Sequence, residues 1–345
     1  MIRKRLGRHT VKLDNPVYIA SAASIAGKKE SEGPLGELFD ITLSDDKFGE
    51  STWEKAESRI VAENMQLAIK KASMTASDID YCITGDLLNQ ITASVFGIKE
   101  IKIPFVGVYG ACSTMGEAMG LGAMLIDGSF AENVLVGASS HFCAAEKQFR
   151  APLGMGSQRP PTSTWTTTGD GAVVLTKNGN DGMPFITEVM TGDIVDMNIK
   201  DPNNMGAAMA PAAAELMMAY FKETKRDPEY FDVIATGDLG YTGKTLVTEL
   251  LASEGWALDS RYTDCGTEIF DKDSQDTHSG GSGCACSALV FTAKYYNLLS
   301  EGKIKKMLFM PTGALMSPTS SQQGESIPGI AHGVVIESRC CNGHI

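Results

Sequence analysis

The stretch DYCITGDL at residues 80–87 returns as DVIATGDL at residues 232–239, 152 residues further along the chain. In each copy a short apolar run ends in a Gly-Asp turn, which is typical of a buried strand that ends at the edge of a sheet. The recurrence of this strand and turn indicates that the chain contains two copies of one structural unit.

Two further blocks repeat in the same order. Cys112 and Cys286 each open a helical stretch, and the apolar segments 169–175 and 331–336 match as strands. Because strands alternate with helices in both halves, the sequence predicts an α/β protein whose sheets are covered by helices. The spacing between copies grows along the chain, which predicts an inserted loop over the site around residues 256–280.

Length and charge narrow the possible classes of function. The 345 residues correspond to one large domain or two smaller ones, and the repeated blocks divide them into two halves, 1–195 and 196–345, of one compact unit. The net charge of −12 argues against nucleic acid as the main partner. No apolar run approaches the roughly 18 residues of a membrane span, and no secretory signal is visible. We therefore expect a protein on the cytosolic side, with its eight cysteines reduced and no bound metal.

The stretch VGVYGACSTMG at residues 106–116 carries the sharpest chemical signal. An apolar strand runs into a tight turn and then a helix, with Cys112 at the helix N-terminus, where exposed amides lower the pKa of a thiol and favour a nucleophile. The alternative is a small apolar residue packed between strand and helix. His278 and His332 are the candidate bases for such a thiol, unless they are a solvated loop residue and a satisfied strand residue.

A second group of polar residues follows the strand that ends at Ser140. His141 comes next, and Lys147 and Arg150 are close enough in sequence to share one face of a helical turn, where two cations would suit a carboxylate ligand. The alternative is a solvated surface helix with an internal ion pair. Asp238, in the repeated turn, either contacts a polar ligand or accepts hydrogen bonds from turn amides.

Several motifs together resemble a known family. Segments spread over the chain look like the stage V sporulation protein AD family, within the thiolase and ketoacyl-synthase superfamily: residues 31–40, 85–90, 109–114, 145–150, 205–214, 280–284 and 325–335. The resemblance implies a thiolase-like, duplicated fold with αβαβα layers. It also implies a homodimer formed through the strand at residues 105–109.

The resemblance implies a function as well. The family acts in the uptake of dipicolinic acid into the developing spore, as part of a membrane channel assembly. The expected partners are therefore dipicolinic acid, with or without calcium, and other subunits of that channel. The expected location is peripheral, at the spore inner membrane, and no cofactor is expected. The candidate ligand-binding residues are Cys112, Ser140, His141, Lys147, Arg150, Asp238 and Lys29.

The sequence departs from the condensing enzymes of this superfamily. Asp238 stands in the turn where many relatives have His or Asn, and a carboxylate there would repel the negative charge that develops during acyl transfer. The turn at residues 278–283 is one residue shorter than the thiolase loop that it resembles, and it lacks the proline. These departures favour a binding protein without catalysis. The alternative is an acyltransferase or ketoacyl synthase that uses Cys112 as its thioester nucleophile, with His278 and His332 as partners.

Overall fold

The computed structural model describes residues 4–149 and 159–338. The strands of the described residues are β1 Thr10–Ala26, β2 Ile41–Thr42, β3 Tyr81–Asp86, β4 Phe105–Gly107, β5 Asn133–Ser140, β6 Trp165–Thr166, β7 Gly169–Thr176, β8 Phe185–Thr191, β9 Val233–Thr236, β10 Tyr262–Asp264, β11 Gly281–Ser282, β12 Lys306–Met310, β13 Thr312–Ala314 and β14 Gly329–Glu337.

The α-helices in the same part of the chain are α1 Lys28–Ser31, α2 Trp53–Lys71, α3 Thr92–Ile98, α4 Thr114–Asp127, α5 Phe142–Phe149, α6 Met205–Thr224, α7 Gly240–Ser253, α8 Cys284–Val290, α9 Tyr296–Ser300 and α10 Pro318–Gln322. A π-helical turn, Phe291–Tyr295, joins α8 to α9. Among these helices, none has the length and apolar character that crossing a membrane requires.

The strands form two series with the same spatial order. The first series runs β4-β3-β5-β7-β1, and the second runs β10-β9-β12-β14-β8. β3 and β9 lie in the repeated TGDL stretches, and β7 and β14 contain the other matched strand segments, which confirms the predicted α/β duplication. β1 pairs antiparallel with β8, so hydrogen bonds join the two series. The boundary between halves at residue 195 stays a prediction.

Helices lie between the two series and on their outer sides. α4 and α8 contact each other in the middle, where α4 packs against β5 of the first series and β14 of the second. α2 covers β1, β5 and β7 from one outer side, and α6 covers β14 from the other, together with α7. The succession helix, strand, helix, strand, helix is the αβαβα layering expected of a thiolase-like fold.

The central strands are apolar on both faces because helices cover both. β5 and β7 are buried over nearly their whole length, and Val136 and Val173 have no exposed surface. α2, which packs on them, begins after Thr52, whose side chain accepts a hydrogen bond from the amide of Lys55 at 3.3 Å. This rigid packing fixes the strand ends from which the site is built.

The loop predicted for residues 256–280 contains an edge strand, β10, so the expectation is wrong for that part of the segment. β10 pairs with β9, and its Tyr262 and Asp264 are buried. Asp264 accepts hydrogen bonds from the amides of Leu239 at 3.0 Å and Gly240 at 2.8 Å, which fixes the turn after β9. A three-residue strand with polar side chains has no apolar periodicity, so a sequence pattern cannot reveal it.

Candidate functional site

Cys112 lies in the turn between β4 and α4, just before the helix begins at Thr114. The residue before it, Ala111, has a φ of 49°, in the left-handed region that residues with a side chain seldom adopt. Thr114 Oγ1 donates a hydrogen bond to the Ala111 carbonyl at 2.6 Å, and Cys284 Sγ donates to the same oxygen at 2.9 Å. Backbone strain that is held by surrounding contacts is typical of functional turns.

Cys112 packs with an acidic side chain from the second half in a buried polar cluster, the Cys112 compartment. Cys112 Sγ lies 4.0 Å from Ser282 Oγ, which donates a hydrogen bond to Asp238 Oδ2 at 2.8 Å. The other carboxylate oxygen of Asp238 accepts a hydrogen bond from Thr312 Oγ1 at 2.8 Å. Cys112 is 3% exposed and Asp238 is 0% exposed. The repeated turn of the second half therefore faces the thiol of the first half, away from water.

The electrostatics of the compartment keep the thiol protonated. Burial, with the nearby charge of Asp238, raises the pKa of the Cys112 thiol well above its usual range. Burial also raises the pKa of Asp238 to about 6, which leaves this carboxyl mostly ionised at neutral pH. The position before a helix is expected to lower the thiol pKa, and the structure shows the opposite, because desolvation and a neighbouring anion outweigh the helix amides. A protonated thiol is a poor nucleophile.

His332 packs against the same turn. It is 7% exposed, and a methyl group added to Gly110 would come within 3.6 Å of its Cδ2 atom. Burial lowers the pKa of His332 to about 4, so its imidazole is neutral at neutral pH. The structure thus brings His332 to the Cys112 turn as an uncharged group.

His278 contacts its own loop and the segment that precedes β6. Its Nδ1 lies 3.0 Å from the carbonyl oxygen of Pro160, and its Nε2 lies 3.0 Å from Asp276 Oδ1. The contact between this loop and Cys112 comes from Ser282 instead. His278 therefore helps to shape the loop that carries one wall of the compartment.

Ser140 and His141 close the end of β5 with buried hydrogen bonds. Ser140 Oγ donates to the carbonyl of Thr167 at 2.6 Å and accepts from the amide of Ala285 at 3.1 Å, which ties β5 to the start of α8. His141 Nε2 lies 2.7 Å from the carbonyl oxygen of Asp46, and burial lowers the pKa of the imidazole. Both residues contribute to the framework around the site.

The candidate cations lie in different places. Lys147, on α5, forms an ion pair with Glu54, and its side chain is 40% exposed. Lys29 is half-buried, with its Nζ 4.3 Å from the centroid of the Trp165 ring. Arg150 lies outside the described residues. The Lys29 side chain is therefore more enclosed than that of Lys147.

Sequence reasoning missed three side chains of the compartment: Ser282, Cys284 and Thr312. The duplication offered a signal for the first two, because they precede Cys286, the repeat partner of Cys112, and so lie in the turn that mirrors its own. Thr312 belongs to β13, which pairs with β14 and carries no motif that the first half repeats. Only the folded chain reveals its hydrogen bond to Asp238.

Solved structures similar to this chain are condensing enzymes. A tetronic acid condensing enzyme has a TM-score of 0.58 at 17% identity, with 93% of this chain and 100% of the other covered. Cerulenin-bound OleA of Xanthomonas campestris has a TM-score of 0.56 at 15% identity, covering 93% and 97%. The 3-oxoacyl-[acyl-carrier-protein] synthase III of Aquifex aeolicus VF5 has a TM-score of 0.53 at 13% identity, covering 93% and 99%. At these identities the likeness shows the thiolase-like fold alone.

Sequence comparison is more specific. The family model for stage V sporulation protein AD matches residues 7–337. Stage V sporulation protein AD of Bacillus subtilis (strain 168) is 42% identical over 334 residues, which cover 97% of this chain and 98% of that protein. A match of this length and identity shows that the chain belongs to the stage V sporulation protein AD family.

Proposed function

We propose that this chain is a binding protein of spore formation that holds dipicolinic acid, with or without calcium, and supports its uptake into the developing spore. It would act with the other subunits of a membrane channel, as a homodimer at the cytosolic side of the spore inner membrane. Membership of the stage V sporulation protein AD family supports this role. The resemblance to that family implies a function in dipicolinic acid uptake.

One observation supports binding over catalysis: the Asp238 carboxylate lies beside the Cys112 thiol. Acyl transfer through a cysteine begins with a thiolate that attacks a thioester carbonyl, and the resulting oxyanion requires hydrogen-bond donors. Ser282 and Thr312 hold the ionised Asp238 in place. Both the thiolate and the oxyanion would therefore meet a negative charge.

The negative charge of the proposed ligand requires cations at its binding site. Dipicolinate carries two carboxylates that are ionised near neutral pH, and the chain has a net charge of −12. Long-range attraction is unfavourable, so cations at the site must compensate. Lys29, Lys147 and Arg150 are the candidates that the sequence supplies, and Lys29 combines its charge with an aromatic neighbour.

Isothermal titration calorimetry of dipicolinate into the purified chain tests the proposal. Benzene-1,3-dicarboxylate is the matched control ligand, because it keeps the spacing of the two carboxylates and lacks the ring nitrogen. We expect saturable binding of dipicolinate that is tighter than binding of the control, and a second titration with calcium shows whether the ion takes part. A protein that neither releases heat nor gains thermal stability with dipicolinate would contradict the proposal.

A second function, acyl transfer, is favoured by the place of Cys112 after the strained Ala111 at the start of α4. Incubation with acetyl-CoA followed by intact-protein mass spectrometry separates the two functions. We expect no acyl adduct above that of the Cys112→Ala variant. A stoichiometric adduct that disappears in this variant would establish an acyltransferase and contradict a purely binding role.

A further inference from the structure

The ring of Trp165 is the centre of a cation–aromatic cluster that also contains Lys29, Phe142 and Arg159. Phe142 stacks on Trp165, with ring centroids 3.9 Å apart and an interplanar angle of 9°. Lys29 Nζ lies 4.3 Å and Arg159 Cζ lies 4.9 Å from the Trp165 centroid. Because Phe142 covers one face of the indole, the other face is left for the two cations.

The two cations of this cluster are held close together in a partly desolvated place. Burial, with the charge of Arg159, lowers the pKa of Lys29. The Arg159 side chain is 10% exposed. Lys29 and Arg159 donate hydrogen bonds to the backbone carbonyls of Gln275 and Asp276, both at 2.5 Å. Neutral carbonyl oxygens satisfy these donors without cancelling the positive charges.

The acids that act on Lys29 are Glu30, Asp276 and Glu32, of which Asp276 and Glu32 are exposed. The carboxylate of Asp276 lies 3.5 Å from Arg159 and is 83% exposed, so water screens it. Glu30 is fully buried, and burial raises its pKa to about 7, so a large share of it is protonated at neutral pH. In a chain of net charge −12, an enclosed pair of like charges is the arrangement expected where an anion binds.

The backbone of one pair of strands joins the cation–aromatic cluster to the Cys112 compartment. Trp165 and Thr166 form β6, which pairs in register with Gly281 and Ser282 of β11. Ser282 is the residue whose Oγ lies 4.0 Å from Cys112 Sγ. A single pair of short strands therefore carries the aromatic ring at one position and the wall of the compartment at the next.

We propose that Lys29, Arg159 and Trp165 form the part of the ligand site that binds the carboxylates of a planar aromatic dianion. This inference rests on the proposed function, under which the dianion is dipicolinate. The guanidinium of Arg159 has the planar shape that suits a carboxylate, and Lys29 supplies a point charge beside it. Phe142 fixes the plane of the Trp165 indole, which orients the aromatic surface next to the cations.

Dipicolinate titrations of Lys29→Met, Arg159→Met and Trp165→Leu test this placement against the alternative cation Lys147, which Lys147→Met removes. Lys303→Met is the matched control and should bind like the parent, because Lys303 is exposed and pairs with Glu301. Methionine keeps an apolar stem and removes the charge. We expect each cluster variant to weaken binding by about ten- to a hundredfold, and Lys147→Met to bind like the parent. Lys29→Arg keeps the charge and should retain most of the affinity.

Thermal unfolding separates a binding role from a structural one. Lys29→Met removes both the repulsion from Arg159 and the hydrogen bond to the Gln275 carbonyl, so its melting temperature without ligand should stay close to that of the parent, while the rise caused by dipicolinate should be lost. Parent-like binding by both Lys29→Met and Arg159→Met would overturn the placement and leave dipicolinate as the ligand. Weakening by Lys147→Met alone would also overturn it and place the anion on α5. Absence of binding by the parent would overturn the proposed function itself.

Discussion

The side chains of Cys112 and Asp238 meet in one compartment although they come from opposite halves of the chain. Replacement of Asp238 by Asn removes the negative charge beside the thiol and keeps oxygen and nitrogen atoms for the bonds to Ser282 and Thr312. We therefore expect Asp238→Asn to lower the pKa of Cys112, although burial still holds it above its usual range. Modification of Cys112 by methyl methanethiosulfonate should then become faster at a fixed alkaline pH.

Peptide mass spectrometry measures this modification, and Cys143 serves as a control within the same sample. Burial raises the pKa of Cys143 to about 11, and the charges that add to this effect are Asp46 and Glu146 rather than Asp238. The rate at which Cys143 is modified should therefore be the same in the parent and in Asp238→Asn. An unchanged pH profile for Cys112 in Asp238→Asn would show that burial alone sets the state of the thiol.

At the scale of residues, sequence reasoning locates side chains better than it defines their environment. The turn that holds Cys112 follows from a local pattern, an apolar strand before a run of small residues. The direction of its pKa shift depends on Asp238, which only the fold brings near. Arg159 and Trp165 escaped notice for the same reason, because their partner Lys29 is distant in sequence and no local motif marks any of them.

β8 and α6 are joined by a buried polar network. Glu188 Oε2, on β8, accepts hydrogen bonds from Tyr220 at 2.8 Å and from Arg226 Nη1 at 2.7 Å. Arg226→Ala would leave the buried Glu188 carboxylate without its cation, so we expect the free energy of unfolding to fall by about 3 kcal/mol in urea titrations. Arg261→Ala, which removes an exposed pair with Asp259, should cost less than about 1 kcal/mol. Equal losses in the two variants would contradict this assignment.

Buried carboxyl groups lie where α2 packs against the first series of strands. Glu57 of α2 accepts a hydrogen bond from Ser139 Oγ at 2.9 Å, and Asp170 of β7 accepts one from Asn64 at 2.6 Å. Burial raises the pKa of Asp170 from 3.8 to about 8, and burial with the charge of Asp86 raises that of Glu57. The folded state therefore keeps protons that the unfolded chain releases over this range of pH.

This shift predicts how stability depends on pH. An acid with a raised pKa in the folded state destabilises the fold as the pH rises from the unfolded pKa to the folded one. We expect the free energy of unfolding of the parent to fall relative to that of Asp170→Asn between about pH 4 and about pH 8, by several kcal/mol at most. Urea unfolding at several pH values measures the difference. A constant difference across this range would show that Asp170 is ionised in the folded protein.

At the scale of elements, helices and strands that are long and have a regular apolar pattern can be predicted from sequence, and very short strands cannot. β3 and β9 are apolar runs that end in a Gly-Asp turn, so the repeat identifies them directly. The helical stretch expected after Cys286 is present and continuous, and it contains a π-turn that no sequence pattern marks. β6, β10 and β11 have two or three residues each, too few for any periodicity. The pair formed by β6 and β11 joins Trp165 to the Cys112 compartment through the backbone.

For the whole molecule, the homodimer remains a proposal that one exposed edge supports. β4 ends the first series of strands, and its Phe105 and Val106 are 36% and 39% exposed. Apolar side chains on an unpaired edge favour pairing with a second copy. We expect the parent to sediment as a dimer and Val106→Lys as a monomer, because a lysine on an edge strand opposes such pairing.

Ile194→Lys is the control for this measurement. Ile194 is 64% exposed and follows β8, away from the β4 edge in the strand order. This variant should keep the dimer in sedimentation velocity runs. A parent chain that is a monodisperse monomer at micromolar concentration would contradict the homodimer.

The architecture of the whole molecule is largely accessible from sequence, because three repeated blocks predict the same succession of helices and strands in each half. The way in which the two halves are joined is not accessible from sequence. β1 and β8 pair across the two series, and residues 10–26 share no motif with residues 185–191 that would indicate this pairing. The duplication thus predicts two similar units, and long-range hydrogen bonding determines how they are joined.

The central claim is that the chain binds dipicolinate without chemistry at Cys112. Calorimetric titration of dipicolinate into Cys112→Ala, beside the parent, tests it most directly. We predict saturable binding by both proteins with equal affinity, because the Cys112 thiol is protonated and the anion is held by cations elsewhere. Loss of binding in a folded Cys112→Ala variant, or its absence from the parent, would contradict the account.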